Sequence, residues 1–185
     1  MPHSDGAVMR TLVQPGAPLQ PRRILEWAEA GHDLRIVLGG DQDLLLGLTQ
    51  ALEARGVRHA AVQVLAADIA RMAYLTGQSD ATGQRAATYG APTWLEGPVT
   101  LLGANGILGP GPEGETLLHC HAVAVDPDGR LHGGHLPPGD CILGPGGATA
   151  IAVPLKGAAF AAAYDSETNY PLFQPTRMTA SGGRE

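Results

Sequence analysis

The sequence predicts an α+β domain, a mainly antiparallel sheet of about seven short strands packed with one main helix. Three observations point there. Only residues 42–55 carry leucines at clear helical spacing. Short runs of Val, Ile and Leu recur between turn signals, several close enough to join as hairpins. The 26 Gly and 15 Pro among 185 residues favour many turns over a helical bundle. The length suits one domain with a substantial core, and with aromatics at 4% the aliphatic residues and alanine must fill it.

Taken in order, residues 1–8 are polar and expected to fray. "MRTLVQPGAPLQPRRILEWAEAG" (9–31) has a strand-like start, a Pro/Gly break and a segment that fits strand or helix. "LRIVLGG" (34–40) reads as a strand stopped by glycines. In "DQDLLLGLTQALEARGV", Asp41 is the expected helix cap, Leu44, Leu45, Leu48 and Leu52 form the apolar stripe, and Gly56 supplies the stop. Residues 58–77 read as one or two strands, although "AADIARMAYL" alone would pass for a short helix. The polar, turn-rich segment 77–93 reads as a long surface loop. Strands follow at 97–109, in "ETLLHCHAVAV", in "RLHGGHL" and at 147–155. Beyond them lie a mixed segment and a disordered end.

The charge balance, 12 basic against 18 acidic residues, gives nucleic-acid binding little support. Arg22-Arg23 and the Arg55/Arg58 pair are the local concentrations, and Lys156 is the single lysine. Cys120 and Cys141 make no disulfide framework, so reduced thiols in a cytoplasm are expected. No apolar run approaches the ~18 residues of a membrane span, and no signal pattern opens the chain.

Residues 117–143 gather four of the seven histidines and both cysteines. Asp126-Pro127-Asp128-Gly129 is a turn signal: Asp126 accepts backbone bonds, Pro127 fixes φ, and Gly129 takes the left-handed position. A three-residue loop pairs Asp126 with Arg130, and counting outward sets Ala124 against His132 and His121 against His135. Directly paired residues share a face, as do residues two apart in one strand. His119, His121 and His135 therefore converge on one side, with Cys120 and His132 on the other. That set fits a three-histidine site for zinc or another divalent transition metal, with a fourth position open. Gly133 and Gly134 would shape the site by letting something approach the backbone beside His135. Two half-exposed polar residues on a strand, and a glycine β-bulge, account for the same pattern without a metal.

At these residues the chain resembles the plant-and-prokaryote-conserved (PPC) domain, in the stand-alone bacterial form without an AT-hook. The quoted pattern is His119-Cys120-His121, then Asp126-Pro127-Asp128-Gly129, then Gly133-Gly134-His135-Leu136. Upstream, "GPVTLLGANGIL" and "LRIVLGGDQDLLLGLTQALEARGVRHAAVQVL" look like the family's strands and helix; downstream, "TAIAVPLKG" and "YDSETNYPLF" look like its closing strand and tail. The resemblance spans about residues 33 to 173. It implies a PPC-like α+β fold, a homotrimer, a metal on the histidine cluster, and a regulatory or DNA-associated role by family alone. Thr100 stands where the family often has Glu, and no basic AT-hook core occurs in the chain.

The expected organisation is residues 1–30 as an N-terminal extension packed on the domain, 31–175 as the PPC-like domain, and 176–185 as a disordered tail. A glycine-loop phosphate site at 39–43 is disfavoured, because Asp41 and Asp43 would repel phosphate. Cys120 is expected to be buried and inert rather than a nucleophile, and Cys141 structural. His3, His32 and His59 are expected to be solvated or packed, and Asp165 and Glu167 to lie in a solvated tail. Three functions stay open: a DNA-associated regulator, a metal-dependent enzyme or small-molecule binder with no assignable catalytic residue, and a plain assembly module.

Overall fold

The computed structural model describes residues 12–20 and 28–178. The expected strand-like start before residue 12, His3, Arg22-Arg23 and the tail from 179 onward lie outside them. Among the described residues a seven-stranded antiparallel sheet and one helix form the body. The strands are β1 (Glu29–Ala30), β2 (Leu34–Leu38), β3 (Ala60–Tyr74), β6 (Thr93–Pro110), β7 (Thr116–Val125), β8 (Leu131–Leu136) and β9 (Cys141–Lys156), and the helix is α1 (Leu44–Glu53). The short ribbon β4 (Gly77–Gln78) with β5 (Thr88–Tyr89) and the hairpin β10 (Ala158–Asp165) with β11 (Tyr170–Arg177) stand apart from the sheet.

The sheet runs β1-β9-β3-β6-β7-β8, with β2 also on β9, and every pair is antiparallel. Its three central strands are long rather than short, at 15, 18 and 16 residues. The glycines and prolines expected to end strands instead lie within them as irregularities. Register shifts occur at Val64/Ala66, Ala67/Ile69, Ile69/Arg71 and Leu101/Gly103. Each extra residue sharpens the local twist, and the sheet curls into a half-barrel. The curl is tight enough that edge strand β8 meets the end of β3. There Leu75 N–H donates to the His135 carbonyl at 2.8 Å, and His135 N–H donates to Leu75 at 2.9 Å.

Helix α1 packs against β2, β7 and β9 through Leu44, Leu45, Leu48 and Leu52, each 1% exposed or less. Burying one such leucine contributes about 1.5–3 kcal/mol. The cap is Asp43, not Asp41. The Asp43 carboxylate accepts from Leu46 N–H at 2.8 Å and, with its other oxygen, from Cys141 N–H at 2.9 Å. Asp41 instead takes a left-handed turn at φ 60°. A bridge between Asp43 and Ile142 explains the shift, because the chain must pair with β9 before the helix can start. Gly56, at φ 70°, ends the helix as expected.

Residues 60–74, including "AADIARMAYL", form one strand between β6 and β9, with Ile69 and Met72 fully buried. The expected loop at 77–93 contains the β4–β5 ribbon and a turn in which Asp80 accepts from the Thr82 and Arg85 amides. Beyond β9 the mixed segment is the β10–β11 hairpin, whose second strand continues through Arg177. Asp165 and Glu167 are buried at its turn rather than solvated. Asp165 binds the Thr168 amide, and the Glu167 carboxylate accepts from Leu19 N–H, which ties residues 12–20 to the hairpin.

Candidate metal centre

The β7–β8 turn forms as its residues dictate. Asp126 N–H donates to the Arg130 carbonyl at 3.1 Å, the Asp126 carboxylate accepts from Arg130 N–H at 2.8 Å, and Gly129 sits at φ 82°. This local chemistry sets the register, in which His121 lies opposite His135 and Ala124 opposite His132. His119 and His121 alternate with the buried Leu118, Cys120 and Ala122, so their rings leave the core side of the sheet.

One ligand atom from each of His119, His121 and His135 falls within 4.8 Å of the other two. The Nε2 atoms of His119 and His121 are 3.1 Å apart. Nitrogens bound at ~2.0–2.1 Å to a tetrahedral zinc stand about 3.4 Å apart, so the spacing suits a shared metal. His135 Nδ1 is buried and makes no hydrogen bond. An orphaned buried nitrogen costs about 1–3 kcal/mol. The all-imidazole donor set fits a transition metal.

The surroundings hold these rings neutral. Burial, followed by the nearby His119 and His121, pushes His135 down to about 4. His119 is likewise lowered, first by burial and then by His121. Neutral imidazole is the ligand form, so at pH 7 no proton has to leave these two rings before a metal binds.

Parts of the site come from residues that the hairpin pattern does not contain. Tyr89 of β5 stacks on His135, with centroids 5.0 Å apart and planes at 16°, and His135 stacks on His119 at 4.6 Å and 26°. Phe173 of β11 closes on His119 from 6.0 Å. The histidines stand between two hollows. One, of about 520 Å³, touches His121, Leu75 and Gly134; the other, of about 480 Å³, touches His119, His135 and Phe173, and both are walled by Tyr89 and Tyr170.

Gly134 is required by a close approach, but the approaching group is the chain itself. A Cβ there would lie 2.3 Å from the Leu75 carbonyl and 3.0 Å from the Tyr74 ring. At Gly133 a Cβ would meet the Ala122 carbonyl at 2.8 Å. The two glycines thus let β8 fit between β7 and the end of β3, and so place His135.

On the other face, His132 joins a polar chain. Its Nε2 meets the Asp126 carboxylate at 2.9 Å and its Nδ1 meets the Tyr74 hydroxyl at 3.1 Å. The His132 hydrogen bond, then Arg130 N–H, holds the Asp126 carboxyl below its ordinary range. Tyr74 is distant in sequence, so the turn alone carries no sign of this link. Cys120 and Cys141 are unpaired and buried, and burial pushes both thiols up to about 12. No thiolate nucleophile forms there at neutral pH.

A family model described as the Plants and Prokaryotes Conserved (PCC) domain matches residues 28–151. Similar folds occur in solved structures. One is a metal-containing protein of Archaeoglobus fulgidus, 23% identical, covering 82% of this chain and 99% of its own, with TM-score 0.62. A plant- and prokaryote-conserved (PPC) protein of Pyrococcus horikoshii is 18% identical, with 82% and 97% covered and the same TM-score, 0.62. A Ralstonia eutropha protein whose given name proposes DNA binding is 20% identical, with 76% and 89% covered and TM-score 0.57. No curated protein sequence matches the chain.

Proposed function

The chain belongs to the Plants and Prokaryotes Conserved (PCC) domain family, and from that premise we propose that it is a homotrimeric metal-binding protein holding zinc through His119, His121 and His135. The observation that carries this reading is the meeting of three imidazoles from two strands, one ring nitrogen of each within 4.8 Å of the other two. Zinc is favoured because an all-imidazole set of three with an open position suits it. When bound, the metal would supply a Lewis acid beside the two hollows. This chain's residues do the remaining work. Tyr89 and Phe173 pack the rings in place, and Leu75 fixes the β8 backbone on which His135 sits.

Assembly is supported by apolar side chains on the outward face of the sheet. Leu65, Leu102, Val123 and Leu131 are 47%, 55%, 49% and 71% exposed, and Val123 lies two residues from His121 on the same face. A patch of that kind beside a site marks an interface. The proposed domain body is residues 31–175, although strand β1 (Glu29–Ala30) extends the sheet before it and Thr176 and Arg177 of β11 extend the hairpin past it, into the segment expected as a tail. Cytoplasmic residence fits the two unpaired thiols; no helix among the described residues is long and apolar enough to cross a membrane.

A zinc titration against a competing chelator tests the metal. The wild type should take up zinc stoichiometrically, and His119→Ala, His121→Ala and His135→Ala should each lose most of the affinity. Uptake that survives all three substitutions would reject the site. A second reading, a small-molecule binder, is favoured by the hollows on either side of the cluster. A regulatory role on DNA rests on the given names of similar structures, against a net charge of −6.

A further inference from the structure

A third cavity, of about 670 Å³, shares no lining residue with the two beside the histidines. It is built where three chain segments come together. Leu155 N–H donates to the His59 carbonyl at 3.0 Å, and Met178 N–H donates to Gly157 at 2.8 Å. Ala158 pairs with Arg177 at the open end of the β10–β11 hairpin. These bonds bring Arg58, Lys156 and Arg177 to one hollow, over an apolar floor that includes Val57, Pro154 and Met178.

The charge pattern is unusual for this chain. The protein is acidic at −6, yet its single lysine and two arginines line this cavity and no described acidic residue does. Glu29 stands opposite Lys156 in the β1–β9 pair but forms no ion pair with it. Among the described residues neither Arg58 nor Lys156 has a carboxylate partner. Arg58 and Lys156 therefore leave positive charge at the rim of this concavity. Arginine and lysine together suit phosphate oxygens, the first as a fork and the second as a point charge. The volume lies in the ordinary range for small-molecule sites, roughly 300–1,000 Å³.

We infer that this cavity binds a small organic phosphate, its phosphates between Arg58 and Lys156 and its less polar body on Val57, Pro154 and Met178. The site is independent of the metal reading. Calorimetric titration of the full chain in chelator at low salt tests it, with inorganic pyrophosphate and ADP as probes. Both should bind saturably, one per chain, and ADP more tightly, because pyrophosphate leaves the apolar floor uncovered. Arg58→Gln and Lys156→Gln should each weaken ADP by roughly tenfold or more, the scale of one lost charge-assisted contact. Both residues are exposed, so the variants should keep the wild-type melting curve. His121→Ala should bind ADP as the wild type does. Absence of saturable binding, wild-type ADP affinity in both charge variants, or loss of binding in His121→Ala would overturn the inference. So would binding of a short DNA duplex, weakened by the same charge variants, in a protein that takes neither probe.

Discussion

Replacing His135 by Phe separates the metal account from a purely structural one, because the two predict stability changes of opposite sign. The ring sits between Tyr89 and His119, and its buried Nδ1 has no hydrogen-bond partner. In metal-free protein that nitrogen costs about 1–3 kcal/mol. Phenylalanine keeps the stacking and removes the orphan, at some cost from its slightly larger ring. The net expectation is a gain of about 1 kcal/mol, or roughly 2–4 °C in Tm for a domain of this size. With zinc the order reverses. At free metal near 100 times Kd the wild type gains about 2.7 kcal/mol, and the variant gains nothing from this site. Calorimetric melts at pH 8, in chelator and in zinc, read both arms. A variant less stable than the wild type in chelator, with an unchanged zinc response, would refute the reasoning.

Three further outcomes follow from the same structure. His135 is held at about 4 when folded and returns to the ordinary imidazole value of 6.5 when unfolded, so between those values the unfolded chain binds the extra proton. Stability of the metal-free protein is therefore full above pH 6.5 and falls as pH drops toward 4, a slope that urea midpoints should show and that His135→Phe should flatten. Asp43→Ala removes the cap and leaves Cys141 N–H buried without its acceptor, costing about 2–4 kcal/mol in urea unfolding; Asp41→Gly, at a left-handed position, should be neutral or stabilising by up to ~1 kcal/mol. Gly134→Ala forces β8 away from Leu75, and should lower both Tm, by an amount equivalent to several kcal/mol, and zinc affinity.

The hairpin register was legible because a four-residue turn determines it locally: Asp126, Pro127 and Gly129 suffice to put His121 opposite His135. The helix stripe was legible for the same reason, its leucines lying within ten residues of one another. What local chemistry cannot carry is contact made by the curl of the sheet. Leu75 against His135, Tyr89 on His135 and Tyr74 with His132 join segments more than forty residues apart. The cap moved from Asp41 to Asp43 through a bridge to β9, a partner nearly a hundred residues away. The long strands were hidden because glycine and proline read as ends of strands, whereas here several mark irregularities inside them.

The three histidines would hold zinc at one location, so diffraction data collected above and below the zinc absorption edge, on crystals of protein purified without chelator, can place the metal or find it absent. A bound zinc should give one anomalous peak per chain that lies among the rings of His119, His121 and His135 and vanishes below the edge. Crystals with no peak there, or with a zinc peak only at other residues, would contradict it.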